Sequence, residues 1–169
     1  GVVLADVGLH LPDFRAGERA FQLLCQVAGR AGRGPTVGRV IIQTYDPDNY
    51  AIEAASRQDY LSLYNKEMMF RREHGTPPMS RLVKLTFLHR NDGFCRTEAT
   101  KLATVLKETI FARGFVDLDV IGPAPGHPLR IRGRYRWHIL LRGRELHSLL
   151  SDVSLPKGWS IDVDPVNVL

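Results

Sequence analysis

The sequence predicts two architectures in one chain, an α/β segment at its start and an α+β unit at its end. Three observations support this prediction. Short apolar runs flank an amphipathic helix within the first 45 residues. A Gly-Thr-Pro-Pro sequence at residues 75–78 interrupts the chain. Beyond it, short segments with strand and helix patterns alternate in the order β-α-β-β-α-β.

The first 45 residues have the pattern of strand, helix, loop and strand. The runs Val2–Asp6 and Arg39–Tyr45 are apolar and of strand length. Between them a helix is predicted to begin near Asp13, whose carboxylate is a capping acceptor. One face of this helix collects the apolar side chains of Ala20, Phe21, Leu24 and Val27. The order predicts the edge of an α/β layer with parallel strands.

The predicted helix ends in the motif Q-x-x-G-R-x-G-R, which runs from Gln26 to Arg33. Its two guanidinium groups, on Arg30 and Arg33, have the planar shape that binds phosphate oxygens. The glycines before them, Gly29 and Gly32, permit a ligand to approach the backbone closely. On this pattern alone, basic residues that complement the helix dipole are the simpler interpretation.

Residues 46–78 predict a helical connector. The stretch Asn49–Glu73 has a helical pattern with a break near Asp59, and Gly75 with Pro77–Pro78 ends it. An apolar face, predicted to be core or docking surface, contains Tyr60, Leu61, Leu63, Tyr64, Met68 and Phe70. A domain boundary is predicted at the end of this connector.

Residues 79–169 predict a compact unit of four strands and two helices. The strands are predicted at Leu82–Leu88, Val116–Ile121, Tyr135–Leu141 and Ser160–Val166, and the helices at Glu98–Ala112 and Glu145–Ser151. A loop rich in proline and glycine is predicted at 122–133. The order β-α-β-β-α-β is that of the ferredoxin-like plait, in which both helices cover one face of the sheet.

Positive charge concentrates before and within the third of these strands. No acidic residue occurs between Asp119 and Glu145. Strand alternation directs Arg134 and Arg136 to the open face of the sheet, opposite the aromatic side chains between them. The predicted DNA-binding residues are Arg130, Arg132, Arg134 and Arg136.

An ordinary solvated face is the alternative interpretation. In the usual strand order of a plait, Lys84 on the first strand lies next to Asp162 and Asp164 on the fourth. These acids are then two strand spacings, about 9–10 Å, from Arg134 and Arg136. They temper the basic surface without cancelling it, so nucleic-acid contact is the favoured interpretation.

The composition is that of a globular protein, since 44% of the residues are hydrophobic and 24% are charged. The net charge of +5 permits nucleic-acid binding. No apolar run is long enough to span a bilayer. Cys25 and Cys95 predict reduced thiols, and no metal site is predicted. The apolar start without a methionine favours a fragment of a longer chain.

The arginine motif and its surroundings resemble a known family over nearly the whole chain. The motif is similar to motif VI of superfamily 2 helicases. Its flanks resemble the bacterial replication-restart DNA helicases, the primosomal protein N′ family, at Ala5–Leu9, Leu11–Ala16, Glu18–Arg19 and Gln22–Leu24. The C-terminal part resembles the same family at Ile121–Pro125, Arg132–Trp137 and Asp162–Pro165.

The resemblance implies a function for each part of the chain. Residues 1–45 are implied to be the end of the second RecA-like helicase lobe, 46–78 a helical connector and 79–169 a C-terminal ferredoxin-like accessory domain. Arg30 and Arg33 are implied to be catalytic arginines that meet the γ-phosphate during ATP hydrolysis. The implied nucleotide-binding residues are Gln26, Gly29 and Gly32.

The whole enzyme that the resemblance implies is an ATP-dependent DNA helicase that uses ATP and Mg²⁺. This sequence contains neither a G-x-x-x-x-G-K-[ST] loop nor a D-E-x-H type motif, so it is predicted to be inactive alone. The cysteine ligands of the family's zinc module are absent as well. The implied partners are DNA forks and single strands, the single-stranded-DNA-binding protein and other primosome proteins, in the bacterial cytoplasm and without a membrane.

Two other functions remain open at this point. In one, the chain is a non-catalytic nucleic-acid-binding module whose arginines only bind phosphates. In the other, it is a ribosome-associated RNA-binding plait. That function fits the C-terminal part but leaves the motif from Gln26 to Arg33 unexplained.

Overall fold

The computed structural model describes residues 1–10, 13–31 and 38–168. The chain divides into two compact units, Gly1–Gly75 and Thr76–Leu169. In the described part, no helix combines the length and the apolar character needed to cross a membrane. The finer division of the first unit into the end of a motor lobe and a connector stays a prediction.

Three helices build the first unit: α1 (Ala16–Ala31), α2 (Tyr50–Arg57) and α3 (Tyr60–Glu73). The side chain of Asn49 accepts the first turn's N–H and caps α2, and the side chain of Asp59 caps α3. Their common core consists of Phe21, Leu24, Ala51, Ile52, Ala54, Ala55 and Leu63. The predicted apolar face of α1 and the predicted break near Asp59 are therefore confirmed.

The start of α1 lies beyond the predicted one. The carboxylate of Asp13 accepts the N–H of Arg15 at 2.9 Å, and the helix begins at Ala16. Asp13 is buried and also forms an ion pair of 2.9 Å with Arg19, one turn into α1. The side chain therefore fixes the approach to the helix and its first turn together.

The two strands predicted in the first unit are wrong as full strands. Only one parallel bridge forms, between Val2 and Ile42, and Ala5–Gly8 is a 3₁₀ turn. Two strands alone make a marginal sheet in water, and the described residues of this unit provide no third strand. The buried carboxylate of Asp6 holds the two segments together, because it accepts the Thr44 hydroxyl and the Tyr45 N–H.

Helix α3 buries only part of the predicted face. Leu63 and Glu67 are its buried residues, whereas Leu61 is 68% exposed and Tyr64 is 47% exposed. The interpretation of Leu61 and Tyr64 as core is therefore wrong for this unit. A docking role for this face stays a prediction.

The second unit is an α+β structure, as predicted. Its strands are β1 (Arg81–His89), β2 (Leu118–Ile131), β3 (Arg134–Gly143) and β4 (Trp159–Val163), and its helices are α4 (Asp92–Arg113) and α5 (Leu146–Asp152). The strands form one antiparallel sheet in the order β2-β3-β1-β4. Both helices cover the same face, around a core that includes Val83, Leu85, Leu102, Leu106, Ile139, Leu141, Leu146 and Leu149.

The long loop predicted at 122–133 is wrong, because β2 continues through it to Ile131 and leaves only Arg132 and Gly133 as a turn. β2 is an edge strand, so a proline that lacks an N–H removes no bond on its outer side. Irregular pairing between Ile121 and Ala124, and between Pro125 and Arg130, absorbs the remaining mismatch. The result is a long hairpin with a two-residue turn.

Candidate functional sites

The first candidate site is the C-terminal end of α1. Gln26, Gly29 and Arg30 are all exposed there, and Arg30 lies in the last helical turn. A Cβ atom on Gly29 would meet no atom of the described residues within 4 Å, so packing in the described part of the chain does not require a glycine. Glycine in a helix interior costs about 1 kcal/mol relative to alanine. Gly32 and Arg33 lie outside the described residues.

A buried polar network fixes the opposite end of α1. A Cβ on Gly17 would collide with the Tyr50 hydroxyl and the Glu67 carboxylate, so α1 approaches α2 and α3 closely here. The Tyr50 hydroxyl donates to Glu67 at 2.9 Å, and Arg71 bridges Glu67 and Glu18 with two bonds of 3.1 Å. Burial, with the Glu67 carboxylate adding to it, raises the pKa of Tyr50. Sequence reasoning missed this network, although a glycine at the start of an amphipathic helix was a usable signal.

The second candidate site is the turn of the β2–β3 hairpin. Arg130, Arg132 and Arg134 are exposed there. The register pairs Arg130 with Tyr135 and Ile131 with Arg134, and directly paired residues point to the same face. The Arg130 guanidinium lies 5.3 Å from the centre of the Tyr135 ring. Arg130 is thus on the helix-covered side, Arg134 is on the open side and Arg132 is at the turn.

Arg136 differs from the other three predicted DNA-binding residues. It is half-buried, and its guanidinium donates to the carbonyl of His127. Gly126 is buried against it, and a Cβ there would collide with the Arg136 side chain. Arg136 therefore holds the irregular part of β2 against β3. A glycine between two prolines, at Gly126, was the sequence signal for this contact.

The open face of the sheet contains several charges besides the hairpin arginines. Lys84 pairs in register with Asp162, as expected, but it is buried and its ammonium donates to the Asn167 carbonyl at 3.1 Å. Arg142 forms an ion pair with Asp119 across β2 and β3. Among the described residues, no carboxylate forms an ion pair with any of the four predicted DNA-binding arginines.

Metal and thiol chemistry have little support in the described part of the chain. No group of three or more histidine, cysteine, aspartate or glutamate side chains is placed there to hold a metal ion. Cys95 is buried and Cys25 is half-buried, and both are free thiols. Burial raises the pKa of each thiol, which disfavours the reactive thiolate.

Comparison with known sequences covers both units. Residues 72–166 match the family described as "Primosomal protein N C-terminal domain". The replication restart protein PriA of Bacillus subtilis (strain 168) is 41% identical over 145 residues, which cover 86% of this chain and 18% of that protein. The PriA proteins of Treponema pallidum and Synechocystis are 39% and 35% identical, over 100% and 99% of this chain. The chain spans 18% to 26% of the length of these relatives.

Proposed function

The chain belongs to the primosomal protein N C-terminal domain family, and we propose that it is the C-terminal part of an ATP-dependent DNA helicase. This helicase restarts stalled replication forks and assembles the primosome. The observation that supports the proposal most is the extent of the similarity. Relatives named replication restart proteins match 98% to 100% of the chain, so the aligned region extends over residues 26–33 as well as residues 72–166.

In this proposal, Arg30 and Arg33 act on ATP held mainly by another lobe of the enzyme. Hydrolysis moves negative charge onto the oxygens around the γ-phosphate, and a guanidinium aimed there stabilises the transition state. Gln26 orients neighbouring groups, and Gly29 and Gly32 allow the close approach. The open space beside Gly29 supports this role, because an unforced glycine on an exposed helix end is otherwise unfavourable.

ATP and Mg²⁺ are assigned to the whole helicase. The residues that would bind Mg²⁺ and cradle the phosphates are not in this chain, which contains no G-x-x-x-x-G-K-[ST] loop. What this chain supplies is positive charge at the γ-phosphate and the helix that positions it.

The second unit is proposed to be a ferredoxin-like accessory domain that binds DNA through the hairpin arginines. Its element order and its sheet order support that fold assignment. The resemblance adds the single-stranded-DNA-binding protein and other primosome proteins as partners, in the bacterial cytoplasm. Contacts to a DNA backbone are independent of base sequence, so such contacts hold DNA without selecting its sequence.

Steady-state ATP hydrolysis tests the proposal. The 169-residue chain alone is expected to hydrolyse no ATP, with or without DNA, and turnover by a preparation free of contaminating ATPases contradicts this. In an intact helicase that contains the chain, Arg33→Ala is expected to abolish turnover while DNA affinity stays unchanged. Equal losses of turnover and DNA affinity favour the second candidate, a non-catalytic module whose arginines bind nucleic-acid phosphates.

A further inference from the structure

The arginines around the hairpin turn do not form a flat patch. Arg130 and Arg134 point to opposite faces of the β2–β3 ribbon, and Arg132 is at its apex. The contact between Arg130 and the Tyr135 ring confirms the side on which Arg130 lies. A ribbon end with positive charge on both faces suits a ligand that presents phosphates on both sides. A single strand lying on one face does not use this arrangement.

At the apex of the turn, an arginine occupies a backbone conformation that disfavours it. Arg132 has a φ of 48° and Gly133 a φ of 80°, which is the pattern of a type I′ turn. Glycine, asparagine and aspartate are preferred at the first of these positions, because other residues are disfavoured in the left-handed region. Packing within the described structure does not explain the arginine, because its side chain is exposed. A ligand contact at the apex explains why it is present.

The charge at this end of the sheet is not neutralised from within the described residues. Asp92, at the start of α4 on the side of Arg130, accepts the indole N–H of Trp137 at 2.8 Å and forms no ion pair with Arg130. By contrast, Arg142 at the other end of β3 is paired with Asp119. Of these two arginines on β3, Arg142 has a carboxylate partner, whereas Arg134, beside the turn, forms no ion pair with a described residue.

We propose that the turn of the β2–β3 hairpin enters the major groove of duplex DNA, with Arg130 and Arg134 on the two phosphate backbones and Arg132 at the base edges. This inference rests on the proposed DNA-binding function of the second unit. The major groove of B-DNA is about 12 Å wide and admits a two-stranded β-ribbon, whereas the minor groove is about 6 Å wide, so the major groove is the better fit for the ribbon.

The first test compares duplex and single-stranded probes of equal length and unrelated sequence, with the 169-residue chain and fluorescence anisotropy at several salt concentrations. Arg130→Ala and Arg134→Ala are each expected to lower the slope of log affinity against log salt by about 0.9 on the duplex. The double variant is expected to lower it by about 1.8, because the two residues contact different backbones. On the single strand, the double variant is expected to lose one contact at most, about 0.7.

The apex has its own matched variants. Arg132→Asn suits the left-handed backbone better than arginine, so it keeps the turn and is expected to weaken duplex binding about tenfold, the equivalent of roughly 1.4 kcal/mol. Arg113→Ala removes one positive charge at the far end of α4 and is expected to change duplex affinity less than twofold. Netropsin, which fills the minor groove of A·T-rich duplexes, is expected not to compete.

The outcomes separate this inference from the function on which it rests. Equal slope losses on duplex and single strand overturn insertion into a groove and leave backbone binding by these arginines intact. Competition by netropsin, or an Arg132→Asn variant that binds duplex as well as the parent chain, also overturns it. If Arg130→Ala/Arg134→Ala changes binding to neither probe at low salt, the DNA-binding function assigned to these arginines fails as well.

Discussion

The two units of this chain bury their apolar side chains in different ways. In the second unit, strand alternation and two helices bury Leu85, Leu106, Ile139 and Leu141 completely. The first unit has no multi-stranded sheet among its described residues, and it buries apolar side chains such as Leu24 and Leu63 between three helices. Both units leave some large apolar side chains exposed, such as Tyr45 at 86% in the first and Phe111 at 89% in the second. A sheet with both helices in place completes its own core.

The largest expected effect concerns chemistry in the first unit. In an intact helicase that contains this chain, Arg30→Ala is expected to lower kcat by roughly 10³–10⁵, because the lost guanidinium no longer stabilises transition-state charge. ATP turnover and DNA affinity are measured on the same preparations. Arg57→Ala, which removes only an exposed pair with Glu53 in the same unit, is the matched control and is expected to change kcat little. A normal kcat for Arg30→Ala contradicts the catalytic role.

The second prediction concerns which unit survives alone. Limited proteolysis of the chain is expected to leave a core of about residues 76–169, because that unit has a complete sheet. Leu85→Ala is the control: removal of a fully buried side chain costs about 2–5 kcal/mol and is expected to abolish the protection. Mass spectrometry of the fragments decides. Preferential survival of the first 75 residues would mean that the first unit, and not the second, is the more stable one.

Most elements of the second unit were predictable from sequence because each is specified locally, although α4 begins at Asp92 rather than at the predicted Glu98 and β2 replaces most of the predicted loop. The alternation from Leu82 to Leu88 and the helical repeat in α4 each define a buried face, and the observed β1 extends the prediction by one residue at each end. The same pattern failed to predict the two strand-like segments of the first unit. A short apolar run such as Val2–Asp6 becomes a strand only if neighbouring strands exist, and the run itself does not contain that information.

The candidate sites were predictable only in part, for a related reason. Exposure of Arg134 follows from alternation, and the structure agrees. The engagement of Arg136 by His127 depends on the path of β2, and prolines in that strand had predicted a loop. The opposite orientation of Arg130 depends on the two-residue turn, which fixes the hairpin register. The alternation of side chains in the sequence therefore could not predict roles that depend on strand register.

A smaller effect distinguishes the two glycines of α1. Gly17→Ala places a methyl group against Tyr50 and Glu67 and is expected to destabilise the first unit by about 1–3 kcal/mol. Gly29→Ala meets no neighbour and is expected to stabilise the helix by up to about 1 kcal/mol. Chemical denaturation of the 169-residue chain, followed by circular dichroism, measures both. Equal effects of the two substitutions contradict the difference in packing.

The last prediction is a pH dependence in the second unit. His138 lies on the open face of the sheet, and its Nδ1 is buried without a hydrogen-bond partner among the described residues. Burial above all, and then the charges of Lys84 and Arg136, lower the pKa of His138 to about 4, from 6.5. Between pH 6.5 and 4 the unfolded chain binds a proton that the folded unit does not. Stability is therefore lost as the pH falls through this window, and the loss ends below pH 4.

His138→Gln removes this titration and keeps a polar side chain on the strand. The melting temperature of the parent chain is expected to fall more steeply than that of the variant between pH 6.5 and 4.5, while the two curves run parallel above pH 7. Differential scanning calorimetry at each pH measures the difference. Parallel curves over the whole range contradict a lowered pKa.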